Sequence, residues 1–202
     1  MICLFLIYSQ IQNEFLPFPN SKCPQCNWNM RMEKQAATCI SLHNYQPKIK
    51  SVFINHLHTV YHNKREISGF LIHVEAKASQ TSVRQLISNY RIVTAKQLDE
   101  ISALYSFLNV QAEEGFVTGF KTYSTEALIA ILKQNKDPFK TELTLLNHLQ
   151  SISAIDSNNA ELLYQMSTSL NLTKFNITGM VITSKFILKE LQGITQRLIG
   201  SL

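Results

Sequence analysis

Residues 176–193 read Asn-Ile-Thr-Gly-Met-Val-Ile-Thr-Ser-Lys-Phe-Ile-Leu-Lys-Glu-Leu-Gln-Gly, and the composition of this stretch predicts two strands joined by a short turn. Ile177, Val181 and Ile182 give the first strand an apolar, β-branched face, and Phe186, Leu188 and Leu191 do the same for the second. Working outward, the pattern predicts a strand over Leu143 to Ser151, a loop over Asp156 to Asn159 and a helix over Ala160 to Leu170. Strands over Phe175 to Thr183 and Phe186 to Leu191 follow, then a helix over Ile194 to Leu202. This β-α-β-β-α order is most of a ferredoxin-like split β-α-β unit, without its final strand.

Upstream, Lys136-Asp137-Pro138 breaks a helix and sets the expected domain boundary, 1–137 against 138–202. The first part reads as a mixed α+β region. Met1 to Tyr8 suits a buried first strand, Asn13 to Lys22 a loop, and Ala37 to Leu42 and Ile49 to Leu57 two further strands. An antiparallel hairpin is expected from Thr59 to Glu75, turning near Asn63-Lys64-Arg65, with Phe70, Ile72 and Val74 on its buried face. Helical spacing takes over at Leu98, Ile101, Leu104, Tyr105 and Leu108, with Thr81 or Thr94 as caps. Gly115 to Tyr123 looks extended, and Ser124 to Lys133 looks helical. The fold class expected is α+β.

Composition narrows the function. A chain of 202 residues, 45% hydrophobic and 16% charged, can bury a core and is not low-complexity disorder. Its net charge of +5 is scattered. The tightest basic groups, Lys48 with Lys50 and Lys64 with Arg65, read as solvated surface rather than a phosphate-tracking stripe, so nucleic acid is only weakly supported as a partner. A spanning helix needs about 20 apolar residues, and the apolar N-terminus is too short for one and lacks signal-peptide flanks, so no membrane role is expected. The four cysteines do not make a disulfide scaffold, which points to a cytoplasmic setting.

One family resemblance rests on Ile177, Thr178, Gly179, Met180, Leu188, Leu191 and Gly193. These resemble the Ile-Thr-Gly, hairpin and Phe-Leu-Gln-x-Leu-Glu-Gly strand of BLUF domains, the flavin-binding blue-light sensors. The resemblance covers roughly the last third of the chain, and it implies a ferredoxin-like fold, FAD as cofactor and blue-light reception. It also implies cofactor-binding positions at His148, Asn171 and Lys189, where the family carries Tyr, Asn and Gln. His148 and Lys189 depart from that set. An imidazole does not replace a phenol as photochemical electron donor, and an ammonium offers donors only. The expected outcome is a retained fold with a degenerate flavin site. Read without the family, His148 is a strand histidine, Lys189 a snorkelling side chain and Asn171 a helix C-cap.

Other constellations are weaker. Cys23, Cys26, Cys39 and His43 have a spacing compatible with tetrahedral zinc, but the segment reads as strand with a poor finger core, so unliganded thiols are expected. His56, His58, His62 and His73 read as scattered imidazoles on the hairpin. No Gly-rich phosphate loop, paired-carboxylate motif or nucleophile elbow is present, so no enzyme is expected. Two rival readings stand beside the sensor. One is a cofactor-free interaction module with a protein partner or a homo-oligomer; the other is a PAS-like DNA-binding regulator using the helices between residues 94 and 133.

Overall fold

A computed structural model describes residues 33–113, 119–134, 136–172 and 174–201, with side chains from Lys48 onward. These residues form α1 (Glu33–Glu75), α2 (Thr81–Leu108), α3 (Gly119–Lys133), α4 (Pro138–Ser169) and α5 (Ile177–Gly200). The described residues contain no strand. The α+β, ferredoxin-like expectation is therefore overturned, as are its two hairpins: Thr59 to Glu75 lies within α1, and Phe175 to Leu191 leads into and through α5. The strands expected at 37–42, 49–57 and 143–151 and the loop at 156–159 are helical too. Met1 to Tyr8 and Asn13 to Lys22 lie outside the described residues.

The physical reason is periodicity. Along α5 the buried residues are Ile177, Met180, Ser184, Ile187, Leu191, Ile194 and Leu198, at alternating spacings of three and four. The same heptad runs along α2 through Val83, Ile87, Tyr90, Thr94, Gln97, Ile101 and Leu104. On α1 it runs through Phe53, Leu57, Val60, Lys64, Ile67, Leu71 and Val74. Such spacing places one stripe of a helix against its neighbours, and packing of that stripe overrides the β propensity of Ile, Val and Thr. Residues 70–74 make the point. Phe70, Leu71 and Val74 are buried while Ile72 is 53% exposed, which fits a helix and no strand register.

The chain divides into compact units Met1–Gln46 and Pro47–Leu202. In the second unit, four helices form a bundle. α1 meets α2 through Lys64–Gln97 and His58–Tyr105, and α4 through His56–Asn159. α5 packs on α4 and α2, and α3 packs on α4. The described break between α3 and α4 falls where Lys136-Asp137-Pro138 predicts a helix stop. Asp137 caps α4 by accepting from the Lys140 N–H at 3.1 Å, with Pro138 in the first turn.

Two apolar clusters fill the bundle. The larger gathers Ile67 to Val74, Val83 to Tyr90, Leu145 to Ile152 and Ile187 to Leu198, with Phe120, Ala127 and Ile131 of α3. The smaller gathers Phe53, Leu57 and Val60 with Ile101, Leu104, Tyr105, Leu163, Leu172, Ile177 and Met180. α1 and α5 run from the smaller cluster to the larger, and α2 and α4 run the opposite way. Every neighbouring pair is thus antiparallel, with one crossover, through α3, joining α2 to α4.

Both long helix ends that reach the smaller cluster close in the same way. Asn109 (φ 54°) and Asn171 (φ 55°) take left-handed backbone. Val110 N–H returns to Tyr105 O at 3.1 Å, and Leu172 N–H returns to Ser167 O at 2.9 Å. These are Schellman closures, with asparagine in the position where a left-handed residue is needed. At the start of α2, Gln80 is the cap and Thr81 the first helical residue. Thr94 is no cap; it is buried mid-helix and donates to Tyr90 O at 2.8 Å.

Candidate functional site

Between the two apolar clusters, each helix of the bundle places polar residues in its buried stripe: Lys64 on α1, Tyr90, Thr94 and Gln97 on α2, Asp156 on α4 and Ser184 on α5. The Lys64 ammonium donates to both Asp156 carboxylate oxygens, at 2.6 and 2.7 Å, and also to Gln97 Oε1. Ser184 Oγ donates to Asp156 Oδ2 at 3.0 Å, and the Tyr90 hydroxyl reaches the same oxygen more loosely at 3.5 Å. The Gln97 amide then donates to Thr183 Oγ1 at 2.8 Å and to Met180 O at 3.3 Å. Burial and the Asp156 carboxylate push the Tyr90 phenol well above its ordinary range, so it stays protonated. Ser153 lies beside that phenol, but its oxygen meets no hydrogen-bond geometry.

All four helices are tied by this one layer, and its charges are matched one to one. Lys64, Asp156 and Ser184 are at most 2% exposed, so a substrate does not reach them. The chemistry of the layer is structural: a salt bridge with saturated hydrogen bonds fixes which heptads lie side by side. The Lys64-Arg65 pair expected on a solvated surface is thereby corrected for Lys64, which is fully buried.

A second constellation lies at the smaller-cluster end. His58 is buried and stacks on Tyr105 with ring centroids 5.4 Å apart. Its Nδ1 is 2.9 Å from the Tyr105 hydroxyl and receives the Glu113 N–H at a long 3.5 Å. An N–H donor facing Nδ1 makes that nitrogen the acceptor, so the Tyr105 hydroxyl donates to it. Tyr61 meets Tyr105 edge-on, with centroids 5.5 Å apart at 84°, and the Arg65 guanidinium stands 5.9 Å over the Tyr61 ring. His62 Nε2 bonds Glu113 O at 2.9 Å. Burial lowers the His58 pKa, with Glu113 opposing that shift, and burial raises the Tyr105 phenol. An open groove of about 620 Å³ adjoins these rings, lined by Tyr61, Ser102, Tyr105, Ser106 and residues 109–112. The four histidines expected on a hairpin thus lie along α1, and His58 is packed inside rather than scattered on the surface.

The residues aligned with a flavin site are not gathered round a ring. His148 sits on α4, where the Tyr123 hydroxyl lies 3.2 Å from its Nδ1, and burial lowers its pKa. Asn171 closes the far end of α4, which puts the two about 30 Å apart along the helix axis. Asn171 thus occupies a C-terminal closure, the role expected of it without the family. Lys189 is exposed on α5. With the ferredoxin-like sheet replaced by a helical bundle, the flavin and photoreceptor expectation loses its scaffold. Cys23 and Cys26 lie outside the described residues, and Cys39 and His43 fall on α1. Among the described residues no group of His, Cys, Asp or Glu is placed to hold a metal ion, and no helix is long and apolar enough to cross a membrane.

The residues that tie the bundle, Lys64, Gln97, Asp156 and Ser184, carry a legible signal. On α1 and α5 the signal is clearest, since Lys64 and Ser184 are the polar residues in stripes of Phe53, Leu57, Val60, Ile67, Leu71 and Val74 and of Ile177, Met180, Ile187, Leu191, Ile194 and Leu198. No family model, no curated protein and no solved structure matches this chain.

Proposed function

We propose that this chain is a cofactor-free interaction module that docks an acidic, amphipathic segment of a protein partner on the face shared by α2 and α5. The observation that carries this reading is the pair Ile182 and Phe186, one turn apart on α5 and 63% and 59% exposed. They project to solvent on the outer face of α5, next in the helix to Thr183, whose hydroxyl meets Gln97 of α2. Further along, Phe107 is 49% exposed and lies against Phe175, with ring centroids 5.2 Å apart. Phe107 is two helical turns from Glu100, which accepts from Asn176 Nδ2 at 3.0 Å, and this places it on the same side of α2.

Charge decides the partner. Lys174 stands 3.2 Å over the Phe107 ring, and Lys96 is exposed one turn before Glu100. Lys185 lies on the other side of α5, paired with Glu161 of α4 at 2.9 Å. Apolar anchors spread over roughly 15 Å suit the i, i+4, i+7 side chains of one helix, and the flanking ammonium groups favour carboxylates beside them.

A photo-crosslinking amino acid at position 186 tests the reading. The expected product joins the chain to a protein segment that alternates apolar and acidic residues, and Lys96→Glu with Lys174→Glu lowers its yield. Products containing only a second copy of the chain, or only nucleic acid, refute the proposal. A yield insensitive to both charge reversals refutes it as well.

A further inference from the structure

We propose that the groove beside Tyr61 and Tyr105 is a binding site for a small organic cation, an amine or guanidinium carried on an aromatic or short aliphatic body. Its volume, about 620 Å³, lies within the range of small-molecule sites. The site is independent of the α2–α5 face and rests on what the walls present.

First, three hydroxyl hydrogens of the lining, those of Ser102, Ser106 and Tyr105, are committed within the protein. Ser102 Oγ donates to Leu98 O at 2.9 Å, and Ser106 Oγ donates to Ser102 O at 3.0 Å. The Tyr105 hydroxyl donates to His58 Nδ1. What remains of all three toward a ligand is oxygen lone pairs, which accept N–H donors. The Asn109 and Gln111 amides can turn their oxygens to the same task.

Second, the groove lies at the C-terminus of α2, where the helix macrodipole places partial negative charge. Third, two tyrosine rings meet there at 84°, and the Arg65 guanidinium over Tyr61 shows that this ring already takes a cation on one face. Fourth, Glu113 is held beside this end of α1, its N–H 3.5 Å from His58 Nδ1 and its carbonyl oxygen 2.9 Å from His62 Nε2, and its carboxylate opposes the lowering of the His58 pKa by burial. Arg65, over Tyr61, is an opposing charge among the described residues.

Three matched probes test the assignment on the full chain: phenethylamine, its neutral isostere 2-phenylethanol, and the anion phenylacetate. Binding is followed by amide chemical-shift mapping and by calorimetry. Phenethylamine is expected to give saturable shifts at Ser102, Ser106 and Asn109 to Ala112, with the alcohol weaker by about tenfold or more and the acid without a saturable shift. Tyr61→Leu and Glu113→Gln should each weaken the amine about threefold to tenfold, while Tyr61→Phe keeps the ring face and the affinity. Equal affinity for the three probes, shifts that map elsewhere, or no saturable amine binding in a chain with wild-type helical circular dichroism overturns the proposal.

Discussion

Replacing Lys64 by Met removes the one cation from the buried layer and keeps most of its volume. The side chain is 0% exposed, and its ammonium satisfies both Asp156 oxygens and Gln97 Oε1. Without it, Asp156 retains only the Ser184 hydroxyl at 3.0 Å and the long Tyr90 contact, an uncompensated charge in an apolar setting. Removing one partner of a buried pair costs about 3–5 kcal/mol. With an m-value of about 2 kcal/mol per molar urea, the unfolding midpoint of Lys64→Met should fall by roughly 1.5–2.5 M. The double variant Lys64→Met with Asp156→Leu removes both charges and should recover most of that loss, because a matched apolar pair is often neutral or better than the ions it replaces. Urea titration followed by far-ultraviolet circular dichroism measures both. If the single variant shifts the midpoint by less than about 0.5 M, or the double variant is as unstable as the single, the charges do not depend on one another as argued.

Two further expectations address the helix contacts and ends. His56 Nε2 donates to Asn159 O at 2.9 Å, and burial holds its folded-state pKa below the unfolded value near 6.5. Its contribution is therefore complete above about pH 6.5 and lost as the pH falls through that value and the folded pKa, since the unfolded chain then binds more protons. The melting temperature should drop on acidification, and His56→Gln, which keeps an N–H donor but does not titrate, should flatten the slope. A slope unchanged in His56→Gln refutes the assignment. At the α4 closure, Asn171→Gly should leave the melting temperature unchanged or higher, whereas Asn171→Val should cost about 1–2 kcal/mol because its left-handed φ of 55° burdens a β-branched residue. Equal melting temperatures for the two variants contradict the closure.

How much of this is legible in the sequence depends on which periodicity is weighed. The helical spacing through Leu98 to Leu108, the helix before Lys133 and the stop at Asp137-Pro138 all stand in the structure, because they rest on period and on the chemistry of caps. The hairpins fail because residue type alone favours strands at Ile177, Val181, Ile182 and their like. Ile177, Met180, Ser184, Ile187 and Leu191 are a heptad stripe, while Ile182 and Phe186, which also favour strands by type, point to solvent. Ser184 and Lys64 hide the stripe by breaking it with a polar residue. Their partner Asp156 lies 92 positions from Lys64 in sequence, a pairing that only the packed helices reveal.

The polar layer also partitions the bundle's resistance to opening. It separates a large apolar block, reinforced by α3, from a smaller one closed by the two asparagine turns. Water admitted to the smaller block meets a hydrogen-bonded barrier at Lys64 and Asp156 before it reaches the larger one. Amide hydrogens in the turns around Ile101 on α2 and in the first turns of α5 should therefore exchange through a sub-global opening, while those around Leu149 and Ile187 await global unfolding. Phe107, Phe175 and the tyrosine groove all sit on the block expected to open first, so recognition there would draw on the part of the molecule that can yield without the whole fold being lost.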